Sequence, residues 1–431
     1  MKMETIIVWF KTNLRLADNE ALYAACQSNA QVIPVYCFDL SHFAKTEFET
    51  KKTGSFRAAF LLESLANLDE NLRKLNSGLV ILKGKPEEEL LKIAETYKAT
   101  KIYAQQEIAH EEQATEKRVK AALQKLNCEL ETFESNCLYT ENQLPFKRNE
   151  LPDVFTHFRK LVEKLTKVQS PLPQPSKINS PQIEQTVFPT LADLNLTKIE
   201  PDNRAALAFK GGETEALARL KHYFEETKCI STYKETRNGL VGANYSSKFS
   251  AWLALGCISP KTIYQQLKIY EKTYGENDST YWLFFELLWR TYFRLVMKKY
   301  GHQLFLKEGI KASKTTSALP NYQLLEKWKN GNTGVDFIDA NMLELKLTGF
   351  MSNRGRQNVA SYLINDLKQD WRYGAAYFEE QLIDYDVSSN WGNWAYLAGV
   401  GNDPRSNRYF NIEKQANDYD KDKQYRNLWL K

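Results

Sequence analysis

Five short apolar runs, separated by segments of helical periodicity, occupy the first 133 residues, and that alternation restricts the fold more than any other feature of the chain. The runs are TIIVWF, VIPVYCF, LVILKG, KIYAQ and CELETF. Between the second and third, Leu61, Leu65, Leu68, Leu72 and Leu75 fall at three- and four-residue spacing, the stripe of a helix that covers one face of a sheet. Strands alternating with helices predict a parallel, doubly wound α/β domain over residues 1–137. Sheets of this class bind ligands beyond the carboxyl ends of their strands. No GxGxxG and no GxxxxGK[ST] follows any run, so classical dinucleotide and P-loop phosphate binding are disfavoured. Glu107, just past KIYAQ, stands where a ligand-contacting acid would be, although an acid there more often serves a helix N-terminus.

From residue 138 to 205 periodicity fades and prolines accumulate, interrupted by one helical pattern near Val154 to Leu165. This reads as an interdomain connection wrapping the surface. Residues 206–431 are then almost wholly helical in pattern, with apolar spacing over 213–224, 247–254, 260–270, 281–300, 322–329, 335–347, 356–366 and 375–382. A chain of 431 residues needs more than one core, which fits an α/β domain followed by an all-α one. The 58 basic and 53 acidic residues leave a net charge of +5, which permits a nucleic-acid groove without demanding one. Six cysteines without CxxC spacing read as reduced core thiols. The N-terminus carries no leader pattern, and Glu286, Arg290 and Arg294 interrupt the most apolar helix, so a cytoplasmic protein with no membrane span is expected.

Three clusters in the helical half carry more chemistry than packing needs. In YKETRNGLVGANYSSKFS, residues 233–250, Gly239, Gly242 and the hydroxyls of Ser246, Ser247 and Ser250 precede an apolar helix, which predicts an anion site at a helix N-terminus; a plain serine cap is the simpler alternative. In YWLFFELLWRTYFR, Glu286 and Arg290 lie four apart inside an aromatic stripe and are placed to pair. Between Thr348 and Gly399 stand Asn353, Arg354 and Arg356, then Asp384, Asp386 and Asn390, with Trp371, Trp391 and Trp394. Helix caps and salt bridges use the same residue types, but taken jointly they suit a flat ligand with polar edges. No HExxH, Cys/His cluster or GxSxG is present, and the five histidines fall outside these clusters, so metal binding is not expected. The chemistry then belongs to a cofactor that the protein binds and orients.

With these clusters, VWFKTNLRLADNEAL, KTGSFRAAFLLESL, KPEEEL, LPFKRNELPDVFTHFRK, YKETRNGLVG and ANDYDKDKQYRNLWL give the chain, over essentially its whole length, a resemblance to the photolyase and cryptochrome family, most of all to its DASH members. The resemblance implies an α/β antenna domain and a helical domain holding U-shaped, non-covalent FAD. By position, Tyr233 and Ser246, Ser247, Lys248, Phe249 and Ser250 correspond to the phosphate grip. Asn353, Arg356, Asp384, Asp386 and Asn390 correspond to contacts of the flavin ring, with Asn390 facing flavin N5.

The activity it implies is light-driven electron transfer from reduced FAD to a cyclobutane pyrimidine dimer, in single-stranded or looped DNA, by a monomer. Glu286 and Trp289 match the lesion-contacting acid and aromatic and, with Asn390, make up the implied catalytic set. Arg237, Arg290, Arg354, Gln357 and Tyr396 match the DNA side. Ser352, Asn353 and Gln357 stand where a (6-4) enzyme would want histidine, so that substrate is disfavoured. Trp394 and Trp371 match the proximal and middle members of an electron-carrying tryptophan chain; the distal position falls at Ala318, with Trp328 as a substitute. Glu107 matches the acid that contacts a 5,10-methenyltetrahydrofolate antenna, and Lys11 and Asn13 replace the commoner Arg and Asp of WFRxDLR, a change expected to act on surface or antenna-side contacts. Two alternatives stay open: a blue-light receptor that binds nucleic acid without essential catalysis, and, more weakly, an electron-transfer or adenylating enzyme using the α/β domain.

Overall fold

A computed structural model describes residues 4–185, 187–311, 319–405 and 408–431. The five apolar runs form one parallel sheet, β1 (Thr5–Phe10), β2 (Gln31–Phe38), β3 (Val80–Lys83), β4 (Lys101–Gln105) and β5 (Glu129–Phe133), in the order β3-β2-β1-β4-β5. Residues of a strand alternate between the two faces, and β1 is buried throughout because both faces are covered. Ile7 and Trp9 pack with Leu90, Ala94, Val119 and Leu123 of the helices Pro86–Tyr97 and His110–Leu123. Ile6, Val8 and Phe10 join the opposite core, to which the helix Ser55–Arg73 gives Leu61, Leu65, Leu68 and Leu72. Each of those leucines is worth roughly 1.5–3 kcal/mol in burial. That core runs on without a break into the helical half, so one face of the sheet is the floor on which the second domain sits.

Polar groups lock the two halves together. Arg15, 1% exposed, donates to the carbonyls of Gly256 at 2.9 Å and Asp18 at 2.6 Å, and the Glu213 carboxylate accepts the backbone N–H groups of Leu16 and Ala17. Gly256 has φ +66°, and a Cβ there would lie 2.1 Å from the Thr12 carbonyl oxygen, so only glycine allows the closest approach of the domains. The chain order turns back between β1 and β4, and the carboxyl ends of these strands carry Lys11 and Glu107.

The helical half is built around the helix Asp278–Tyr300, started by a capping box in which Asn277 accepts from Ser279 and Thr280. The helices Asn353–Ser361, Trp371–Gln381 and Val387–Leu397 close around it. No helix among the described residues is long and apolar enough to cross a membrane. The helix foreseen over 247–254 shrinks to Ser250–Ala254, which is too short for the dipole on which a helix N-terminal anion site depends.

Candidate functional site

The long helix, the 245–250 loop and the turn before Val387 enclose a cavity of about 470 Å³. Its floor comes from a loop that the buried Arg219 holds open, donating to the carbonyls of Ala243, Ser246 and Ser247 and to the Asn244 side chain. Held this way, Lys248 adopts left-handed φ, +62°, and turns inward at 3% exposure. Its Nζ lies 3.0 Å from the Tyr245 ring centroid and 4.9 Å from that of Phe350, with no hydrogen-bond partner among the described residues. Burial holds this lysine well below the usual ammonium range. The Tyr245 hydroxyl is likewise buried without a hydrogen-bond partner among the described residues. Beneath them Glu344, 1% exposed, accepts the Tyr425 hydroxyl at 2.6 Å and is pushed up to about 7 by burial. A buried amine left without a hydrogen-bond acceptor is costly, and an anionic ligand beside it would both supply the acceptor and favour its charged form. The orphaned Lys248 thus fits a diphosphate-bearing cofactor.

One side wall carries Arg356 and Asp384, paired bidentately through one guanidinium nitrogen at 2.8 and 3.0 Å. Arg356 is aimed by its second bond, from Nε to the Met351 carbonyl. Asp386 caps the helix Val387–Leu397, accepting the Ser389 N–H at 2.8 Å and the Ser388 hydroxyl at 2.6 Å. Burial raises its carboxyl, but the Arg290 and Arg294 charges and these bonds outweigh it and bring it down to about 2. Arg290 shows the opposite balance, pulled to about 10 by burial despite Asp386 at 3.4 Å, and stays charged at neutral pH. Asn390 lies just behind the wall, donating to the Ala375 carbonyl at 3.0 Å; its neighbours Ser389 and Asn393 line the cavity.

At the mouth, Glu286 pairs with Arg237 rather than with Arg290 as the spacing suggested. Arg290 instead points inward, donating to the carbonyls of Asn136 and Leu253, because the tight domain interface offers it acceptors that the helix surface does not. Burial raises the Glu286 carboxyl, though Arg237 opposes this. Trp289 and Tyr396 meet edge to face, ring centroids 5.9 Å apart and planes at 79°, forming an aromatic corner beside Glu286. Gln357 lines the mouth and accepts from Arg354, whose guanidinium also reaches Asn238 and lies over Tyr419. Tyr233, Ser246, Ser247, Phe249, Ser250 and Asn353 also line the cavity.

The tryptophans stand behind it. The Trp394 ring meets Phe378 and Trp328, the latter at 6.3 Å, while Trp371 meets Trp391 at 5.7 Å. Trp328 is fully buried, donating to the Val359 carbonyl, so it is a branch from Trp394 and not a surface terminus. Ala318 lies outside the described residues.

A second cavity, about 190 Å³, lies between the domains at the carboxyl ends of β1, β2 and β4. Glu107 lines it, facing Lys11 at 3.7 Å, and Lys11 also bonds Glu116 at 2.6 Å. Asn13 is buried in the adjoining turn, accepting the Lys11 N–H, so of the two departures only Lys11 reaches this cavity. Arg57 lies over the Tyr385 ring at 4.4 Å on its far side. Ala254 and Asp386 line both cavities.

Sequence reasoning missed Arg219, Glu344, Tyr425, Phe155 and Arg408. Arg219 and Glu344 are isolated polar residues within ordinary helical patterns and Tyr425 lies beyond the last of those patterns, and only the fold brings the three together. Arg408 pairs with Asp403 and donates to the Tyr396 hydroxyl at 2.6 Å; its signal was the charged run DPRSNR beyond the last tryptophan.

A model of the DNA photolyase family matches residues 6–176, and one of the FAD binding domain of DNA photolyase matches residues 282–431. The chain is 48% identical to the cryptochrome DASH of Gloeobacter violaceus, over 100% of this chain and 86% of that protein. It is 47% identical to that of Danio rerio, over 99% and 83%. Among solved structures, a Synechocystis sp. PCC6803 cryptochrome superposes with TM-score 0.96 at 47% identity, covering 100% of this chain and 89% of that one. An archaeal photolyase from Sulfolobus tokodaii, solved with two FAD molecules, gives 0.80 at 28%, covering 99% and 90%.

Proposed function

Because the chain belongs to the photolyase and cryptochrome family, beside the cryptochrome DASH proteins, we propose that it is a blue-light-dependent flavoprotein that binds DNA and splits cyclobutane pyrimidine dimers, preferentially in single-stranded or looped DNA. The observation that carries this reading is a single cavity whose floor suits an anionic cofactor while its mouth presents an aromatic corner beside a half-buried acid. Reduced FAD held in this cavity would supply the light-driven electron-transfer chemistry that opens the dimer. The chain's residues do the rest. Lys248 would meet the diphosphate, whose charge would favour its ammonium form, and Arg356 with Asp384 would present donor and acceptor to a ring edge. Asn390, a neutral amide behind the cavity wall, would back the ring site. Trp289 and Tyr396 receive an extruded, unstacked dimer, and Glu286, held by Arg237, meets its polar edge. Arg354 and Gln357 border the strand at the mouth. Trp394 and Trp371 are assigned to resupplying electrons.

The interdomain cavity is assigned to an antenna chromophore contacted by Glu107, with 5,10-methenyltetrahydrofolate as the first choice. The two FAD molecules of the Sulfolobus tokodaii protein make a flavin the alternative outcome. An absorption spectrum of the purified protein separates the two. The decisive test illuminates fully reduced protein with a dimer-containing oligonucleotide, single-stranded and in duplex. Repair favouring the single strand is expected, and no repair with fully reduced flavin refutes the enzymatic reading in favour of a light receptor.

A further inference from the structure

The segment between the domains supplies the ring on which Trp289 rests. Phe155, the first residue of the helix Phe155–Leu165, lies against the indole with centroids 3.7 Å and planes 10° apart. It is 5% exposed and meets Phe285 and Tyr292 edge to face at 5.2 and 5.6 Å. The same turn reaches the other wall of the corner. The Asp153 carbonyl accepts the Tyr292 hydroxyl at 2.6 Å and the Asn402 amide at 3.2 Å. The next residue, Asp403, pairs with Arg408, which bonds the Tyr396 hydroxyl and lies over its ring at 4.5 Å. The helix itself is clamped to the long one. Arg159 donates to the Tyr281 hydroxyl, which donates to Glu163 at 2.7 Å, and Lys299 donates to the Leu151 carbonyl at 2.9 Å.

We propose that Asp153 and Phe155 are positioning residues that fix the angle and depth of the Trp289–Tyr396 corner for a stacked pyrimidine pair, an inference that rests on the dimer-binding reading above. Phe155 covers the face of Trp289 turned from the cavity and removes ring freedom that would otherwise be lost on binding. Asp153 acts through its backbone oxygen on the Asn402 side, so one turn braces both rings.

The test measures Kd of the flavin-loaded protein for one single-stranded oligonucleotide with and without a cyclobutane dimer, in the parent, Phe155→Leu, Phe155→Tyr and Asn402→Ala. Flavin absorbance and thermal midpoint are recorded for each. Phe155→Leu should keep its affinity for the undamaged strand within about twofold and lose about tenfold for the dimer strand, the size of one aromatic stacking contact. Phe155→Tyr should restore the preference, and Asn402→Ala should reduce it with Trp289 and its stack intact. Parental preference in both Phe155→Leu and Asn402→Ala overturns the proposal; if Phe155→Leu fails to load flavin, Asn402→Ala alone decides. A parent without any preference for the dimer overturns the dimer-binding reading and this inference with it.

Discussion

Replacing Asp386 by asparagine separates its two roles. An asparagine caps a helix as well as an aspartate, so the bond from the Ser389 N–H survives, but the charge opposite Arg290 is lost. The fall of this carboxyl from 3.8 to about 2 corresponds to roughly 2.5 kcal/mol. Both side chains are 11% exposed, so solvent screening removes little of it. The folded value lies below the unfolded one. The contribution is therefore present in full above about pH 4 and vanishes as pH falls through about 2, where a protonated Asp386 equals the asparagine. Urea denaturation at a series of pH values, followed by ellipticity and by flavin release, gives the parent-minus-variant difference. It should hold near 2.5 kcal/mol between pH 5 and 7 and shrink steadily below pH 4. A difference under about 0.5 kcal/mol at pH 7, or one that does not shrink on acidification, refutes the electrostatic account.

The Glu344→Gln variant should show the reverse. With the folded carboxyl raised from 4.5 to about 7, the parent loses stability as pH rises through that window, so the advantage of the variant should grow by roughly 3 kcal/mol from pH 4.5 to 7 in denaturation curves. Asp384→Ala strands the Arg356 guanidinium beside the ring site and should raise flavin Kd at least about tenfold by fluorescence titration. Trp394→Phe should abolish photoreduction of oxidised flavin, whereas Trp328→Phe, deleting a buried branch, should leave it within about threefold in transient absorption. Glu286→Gln should lower the repair yield by about tenfold and leave the flavin spectrum unchanged.

The sheet was legible because its order is written locally: TIIVWF and KIYAQ are β1 and β4 to the residue. The helices Val387–Leu397, Ile412–Tyr419 and Gln424–Leu430 were not foreseen. VSSNWGNWAYL is rich in weak helix formers, and what starts that helix is the Asp386 cap and packing on the long helix. Arg356 and Asp384 stood out as charges among aromatics, and their pairing is seen at 2.8 Å. Glu286 misled because i,i+4 spacing permits a pair without requiring one; Arg237, 49 positions away, competes successfully. The importance of Phe155 could not be read from its own helix, since its partner Trp289 lies in another domain's longest helix.

The interdomain turn has a consequence for dissecting the molecule. A fragment starting at Glu213 would retain every residue of the flavin cavity, from Tyr233 to Arg408, yet it would lack Asp153 and Phe155 and expose the underside of Trp289. The boundary of the chemistry therefore does not follow the boundary of the helical fold. Anyone trimming, swapping or permuting these domains should carry residues 151–165 with the helical half, since the connection braces the aromatic corner at the mouth of its cavity.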